Sequence, residues 1–140
     1  IGSSVTPQDN LLYGSHGSDR FLNNNGDLKV SGSVYSDPTA LSITSNTASM
    51  DCSKRNFFTL TLQNGVDTHL DATNIQAGQT INLKLTNNGT GAGTISFAPK
   101  FEFEGGSAFT ATAATSAVDV LTFISFDGTS LQATGLNNFS

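Results

Sequence analysis

The sequence predicts an all-β protein, an antiparallel, jelly-roll-like β-sandwich head preceded by an extended N-terminal arm. Three observations predict it. From Leu41 onward, short apolar segments alternate with period two, as half-buried strands do. Ser, Thr, Asn and Gly crowd the intervals between them, a bias toward turns and strands. No window carries the apolar stripe of a helix, and no repeat of fixed period is evident. At 140 residues the chain is one domain's worth, long enough to bury a real core.

Residues 1–36 form the predicted arm. Their large apolar residues come as isolated knots, Leu11-Leu12-Tyr13 and Phe21-Leu22, set in Gly, Ser and Asn. Ordering such backbone costs about 1–2 kcal/mol per residue, and a fully buried Leu or Phe returns about 1.5–3 kcal/mol. The knots therefore order the arm only against a ready-made surface, which makes Leu11, Leu12, Tyr13, Phe21 and Leu22 candidate anchors to a partner. The alternative is a loose leader. Within the arm only Leu28, Val30 and Val34, after Asn25-Gly26, have strand spacing. The chain begins Ile1-Gly2, with no basic-then-apolar leader, so no signal peptide is read and processing or trimming of the start is expected.

The head is residues 37–140. Phe58, Leu60 and Leu62 share one strand face and Phe57, Thr59 and Thr61 the other. Ile81, Leu83 and Leu85 repeat the pattern, and the run 87–93 (NNGTGAG) followed by Ile95 and Phe97 predicts an antiparallel hairpin. Phe101 and Phe103 make a short strand ending at Gly105-Gly106. The stretch from Val118 to Phe126 is apolar on both faces, with Val118, Val120, Ile124 and Phe126 on one and Leu121 and Phe123 on the other. Such a strand is either central in a sandwich or pressed against a second subunit, so all six are candidate subunit-interface residues. Asp127-Gly128 then turns the chain into Leu131 and Ala133, closing a final hairpin.

Composition excludes several functions. Six Lys and Arg against eleven Asp and Glu leave a net charge of −5, with no basic surface to neutralise phosphates, so no nucleic acid is expected as a partner. No stretch approaches the roughly 20 apolar residues of a membrane helix, so no membrane insertion is expected. The single cysteine, Cys52, rules out an internal disulfide and reads as a small buried hydrophobe.

Chemistry-bearing clusters are few. Asp67, His69 and Asp71 would point the same way on an extended strand, as a metal site requires, but flanking Asn64-Gly65 and Asn74 favour a solvated connection. His16 lies in a Gly/Ser run that cannot hold a catalytic base. Lys54-Arg55 reads as a solvated corner at the start of a strand, and Glu102 and Glu104 as an exposed carboxylate pair rather than glycosidase acids. The glycines of 89–93 precede strand residues, not the helix that would hold a phosphate. Asn88-Gly89-Thr90 and Asn138-Phe139-Ser140 match the glycosylation acceptor pattern, common by chance in such a chain. No catalytic residue, cofactor or metal is expected, and the chain reads as a non-enzyme.

One resemblance adds to this. Met50-Asp51-Cys52-Ser53 leads into the strand 56–62, followed by the run 74–83 (NIQAGQTINL), Asn88-Gly89-Thr90-Gly91, Phe101-Glu102-Phe103-Glu104-Gly105-Gly106, and Val118-Asp119-Val120-Leu121-Thr122-Phe123 with Asp127-Gly128-Thr129. In this order and spacing, Leu41 to Ala133 resembles a β-rich module of structural proteins of tailed bacteriophages, fibre-like and surface proteins of marine phages. The run 26–34 (GDLKVSGSV) is similar to strand-and-turn units that precede globular heads in phage fibres. The resemblance implies a non-enzymatic virion protein at the particle surface, a head or tail fibre, knob or capsid decoration protein. It implies a homotrimer anchored on capsid or tail proteins, with a host-surface glycan as a further possible partner. The competing expectation is a secreted bacterial carbohydrate-binding module, against which stand the absence of Trp and the presence of only two tyrosines, Tyr13 and Tyr35.

Overall fold

The computed structural model describes the backbone of Gly14–His16 and Asp19–Phe21 and all of residues 31–88 and 92–139. The chain divides into two units, Ile1–Val34 and Tyr35–Ser140, two residues before the predicted boundary. In the first unit, β1 (Gly14–His16) pairs antiparallel with β2 (Asp19–Phe21), Gly14 opposite Phe21 and His16 opposite Asp19. Strands of three residues are too short to show a period-two pattern, which is why none was legible there. Of the predicted anchors, Leu11, Leu12, Tyr13 and Leu22 lie outside the described residues, and Phe21 is described in its backbone only. Leu28 and Val30 also lie outside them, while Val34 is exposed and in no strand.

Among its described residues the second unit is all-β apart from one 3-10 turn, Glu104–Gly106. Its strands are β3 (Thr39–Ala40), β4 (Thr47–Asp51), β5 (Phe57–Leu62), β6 (Asp67–Thr73), β7 (Gln79–Asn87), β8 (Thr94–Phe97), β9 (Phe101–Phe103), β10 (Val118–Ser125) and β11 (Leu131–Phe139). They form a six-stranded sheet, in the order β3-β5-β7-β10-β11-β9, and a three-stranded sheet, β4-β6-β8. From β3 to β8 the chain alternates between the two sheets at every step, so neighbours within each sheet run parallel: β3 with β5, β5 with β7, β4 with β6, β6 with β8. Only β7 with β10 and β10 with β11 are antiparallel, and β9 lies parallel to β11.

The six-stranded sheet is therefore mixed and the three-stranded sheet parallel, not antiparallel as expected. The predicted hairpin across 87–93 does not form either. β7 has β5 on one side and β10 on the other, so no edge of it is left for β8, which crosses to pair with β6. Gly93 makes the crossing possible, since a Cβ there would stand 2.8 Å from the Leu62 Cβ. The crossover is tied by Asn87, itself buried. Its Nδ2 donates to the Thr112 carbonyl at 2.9 Å and its Oδ1 accepts from the Gly93 N–H at 3.2 Å. The final hairpin, β10 to β11, is present. In its turn the Asp127 Oδ1 accepts from the Thr129 and Ser130 N–H groups at 2.7 and 2.8 Å, and Gly128 takes a positive φ.

Period-two alternation puts the inner residues of both sheets into one hydrophobic cluster. Phe58, Leu60, Leu62, Ile81, Leu83, Leu85, Leu121, Phe123 and Leu131 come from the larger sheet, and Ala48, Met50, Leu70, Ala72 and Ile95 from the smaller. Leu121 and Phe123 have no exposed surface, and the Phe101 ring stands edge-on to Phe123 at 5.2 Å. This corrects one of the two candidate interface faces: Leu121 and Phe123, two of the six candidates, are covered by the chain itself. Cys52 is buried as expected, and desolvation pushes its thiol up to about 11, which keeps it unreactive.

Candidate functional site

With the core filled, function falls to the surfaces, and the two sheets present outer faces of opposite character. On the smaller sheet the outward positions of β6 are Asp67, His69 and Asp71. The three belong to a strand, which corrects the expectation of a solvated connection, and they share a face as the period-two spacing requires.

Their polar atoms are engaged laterally. Asp67 accepts from the Thr94 Oγ1 at 2.8 Å and the Ser96 Oγ at 2.7 Å, which holds its carboxyl below the usual carboxylate range. The His69 Nδ1 stands 3.3 Å from the same Ser96 Oγ. Asp71 makes an ion pair with Lys100 at 2.9 Å, the main reason its carboxyl is lowered too, and the Lys100 Nζ also donates to the Ala72 carbonyl at 2.6 Å.

This is an Asp, Ser and His cluster in the wrong order for acyl transfer. There the serine proton passes to the imidazole and the carboxylate holds the imidazole in place. Here the shorter bond gives the Ser96 proton to Asp67, so the Ser96 oxygen is left to accept from His69, a tautomer assigned from the network. The trio works as a cross-strand lattice between β6 and β8. Among the described residues no three His, Cys, Asp or Glu side chains converge as a metal site would require.

The remaining predicted clusters stay apart. Glu102, on β9, accepts from the Gln132 Nε2 at 2.7 Å, while Glu104 lies in the 3-10 turn. Lys54 and Arg55 precede β5 rather than begin it, and they line an open groove of about 600 Å³ with Asn56, Gln76 and Gln79. Gln79 closes its floor, its Nε2 donating to the Cys52 carbonyl and to the Asn56 Oδ1 at 2.7 and 2.8 Å. The groove holds cations and amides and no nucleophile paired with a base.

The outer face of the six-stranded sheet is different. The register lines up Thr59, Lys84, Val120 and Leu136 in one row and Phe57, Asn82, Thr122 and Thr134 in the next. Of the candidate interface residues, Val118 and Val120 are half-buried here, Ile124 is 39% exposed and Phe126, one residue past β10, is 77% exposed. Sequence reasoning missed Phe57 at 43% and Leu136 at 65% exposure, the first on β5, beyond β7, and the second on β11, next to β10. Both break the outward-polar pattern of their strands, the one signal that could have found them. Beside Phe57, a groove of about 250 Å³ opens between Pro38, Thr59, Asn82, Lys84 and Val120.

One buried polar node was also missed. Asp119 sits on the inner side of β10 and is almost fully buried. It accepts from the Thr112 N–H and Oγ1, both at 2.7 Å, and from the Asn138 N–H at 2.8 Å, where β11 bulges and Asn138 takes a positive φ. A single Asp in an apolar run announces burial, but its partners are 7 and 19 residues away and carry no pattern. No protein-family model, curated protein or solved structure matches the chain.

Proposed function

We propose that this chain is a non-enzymatic structural protein of a bacteriophage particle: a head or tail fibre, a knob or a capsid decoration protein. In this reading residues 37–140 are a β-sandwich head, its two sheets the layers on either side of the common core. Residues 1–36 are the anchoring arm, and three copies assemble as a homotrimer at the particle surface. Attachment to a host-surface glycan is a possible task of the head.

One observation carries the reading. The largest sheet leaves Phe57, Ile124, Leu136 and Phe126 exposed on or beside its outer face, although the core within is complete. We take several large exposed apolar side chains on one face of a well-packed domain, set among Thr and Asn, as the sign of an interaction surface. The lateral engagement of Asp67, Ser96 and His69, which leaves them out of catalytic order, supports a structural role over a hydrolytic one.

The test has two parts. Sedimentation equilibrium at micromolar concentration should return three chain masses, and a monomer would overturn the trimer. A chain beginning at Ser36 should keep a cooperative melting transition yet fail to bind particles that lack the protein. Binding by that shortened chain at native occupancy would transfer attachment to the head and overturn the arm.

A further inference from the structure

The outer face of the six-stranded sheet carries both halves of a contact. One half is a knob: Phe126 is 77% exposed, and Asp127 follows it. The Asp127 carboxyl is held well below the usual range by the Thr129 and Ser130 N–H groups, so it stays anionic. The other half is the groove of about 250 Å³ beside Phe57, walled by Pro38, Thr59 and Val120 and flanked by Lys84. Its volume exceeds the roughly 150 Å³ of a cavity that takes a benzene ring. Lys84 is exposed and, among the described residues, has no ion-pair partner.

Phe126 and Val120 lie six residues apart along one extended stretch, about 20 Å. A chain cannot place its own knob in its own groove at that separation. A second copy can, and it brings the anionic Asp127 toward the unpaired Lys84 as the ring enters.

We infer that copies of this chain associate by seating Phe126 of one copy in the Phe57–Val120 groove of the next, with Asp127 set against Lys84. The inference rests on the self-association proposed above and names its contact. In a closed trimer each copy gives one knob and receives one, a heterologous contact that closes on itself.

Complementary variants test it. Phe126→Ser removes the knob, and Thr59→Trp or Val120→Trp fills the groove. Each should keep the wild-type melting transition and associate at least 30-fold more weakly by sedimentation velocity. Mixed one to one, the knobless and groove-filled variants should recover a species of two chain masses, because one intact contact remains. Lys84→Glu should weaken wild-type association at low salt more than at high salt.

Wild-type-like association of Phe126→Ser, or no recovery on mixing, would overturn the contact, whatever mass the wild type shows. A wild type of two masses that obeys the mixing rule would retain the contact and remove the trimer. A wild type that stays monomeric at 200 µM, roughly the concentration at which a sub-millimolar contact registers, would overturn both. The particle-binding test of the arm stands apart from all of these outcomes.

Discussion

The two outer faces of residues 35–140 are built from similar strands and end in opposite states. On the three-stranded sheet every outward acid of β6 has a neighbour within hydrogen-bond distance on β8 or just beyond it. On the six-stranded sheet the outward residues mix Phe57, Val120, Ile124 and Leu136 with Thr59, Asn82, Lys84 and Thr122, and two cross-strand side-chain hydrogen bonds join them, from the Thr122 Oγ1 to the Asn82 Oδ1 at 2.9 Å and, at the β9 edge, from the Gln132 Nε2 to Glu102 at 2.7 Å. The lesson is that a cluster rich in reactive residue types can be used in holding a sheet together, while a face poorer in them is left incomplete. Interaction potential here follows unsatisfied surface rather than chemical variety.

The two sides of β10 offer the sharpest way to break the comparison. Phe123→Asp places a carboxylate in the core and should cost 4 kcal/mol or more, on the order of an unpaired buried charge, giving loss of the cooperative thermal transition. Its neighbour in sequence, Ile124→Asp, should change folding stability by less than about 1 kcal/mol while dissociating the copies. If Ile124→Asp unfolds the chain and Phe123→Asp does not, the assignment of faces is inverted.

Asp119→Ala is the next largest. It removes the acceptor of three hydrogen bonds from a buried position and should destabilise by about 3 kcal/mol in urea unfolding. A cost below about 1 kcal/mol would mean that the 110–114 segment and the β11 bulge hold without it. Thr68→Val works in the other direction. The Thr68 Oγ1 is buried on the inner face of β6 with no hydrogen-bond partner, so an isosteric methyl should stabilise by about 1 kcal/mol. A loss of stability on this change would point to a partner for the hydroxyl.

Acid should produce the smallest effect, and Asp67 and Asp71 on the three-stranded sheet contribute to it alongside Asp127 in the β10–β11 turn. The carboxyls of Asp67 and Asp71 both titrate below their usual 3.8 in the folded chain. Their stabilisation is therefore complete above about pH 5 and is lost as the pH falls through 3.8 toward the lower folded values. Both are solvent-facing, so screening limits the combined effect to about 1 kcal/mol. Melting temperature against pH should show this acid limb in the wild type and a shallower one in the Asp67→Asn, Asp71→Asn double variant. An unchanged limb would assign the acid sensitivity to other carboxyls.

The alternation of Phe58, Leu60 and Leu62, of Ile81, Leu83 and Leu85, and of Leu121 and Phe123 made the strands and their inner faces legible, because burial of one side is a period-two signal in the chain itself. Which sheet each strand joins was not legible. The glycines and asparagines of 87–93 suit a hairpin turn and a crossover between layers equally well, and the choice is made by β10, some thirty residues later, taking the free edge of β7. Asp67, His69 and Asp71 were placed on one face by spacing, but their partners Thr94, Ser96 and Lys100 arrive through the parallel pairing of β6 with β8, which no local pattern encodes. Spacing put Phe57 on the face away from the core, but that it shares an outer face with Leu136 follows from the register of β5, β7, β10 and β11.

The strict alternation between layers also governs how the chain reaches its fold. Within residues 35–140, β10 and β11 are the one antiparallel pair that is consecutive in the chain, while each parallel pair between β3 and β8 has another whole strand between its members. Every such pairing requires a loop to close before any contact is gained, so topology predicts slow folding. During synthesis from the N-terminus, β5 and β7 emerge well before β10, and the open edge of β7 meets solvent until the last hairpin arrives. An apolar strand with an unpaired edge is a template for other chains, so the nascent protein is most vulnerable to aggregation in the interval between the appearance of Asn87 and that of Ser125.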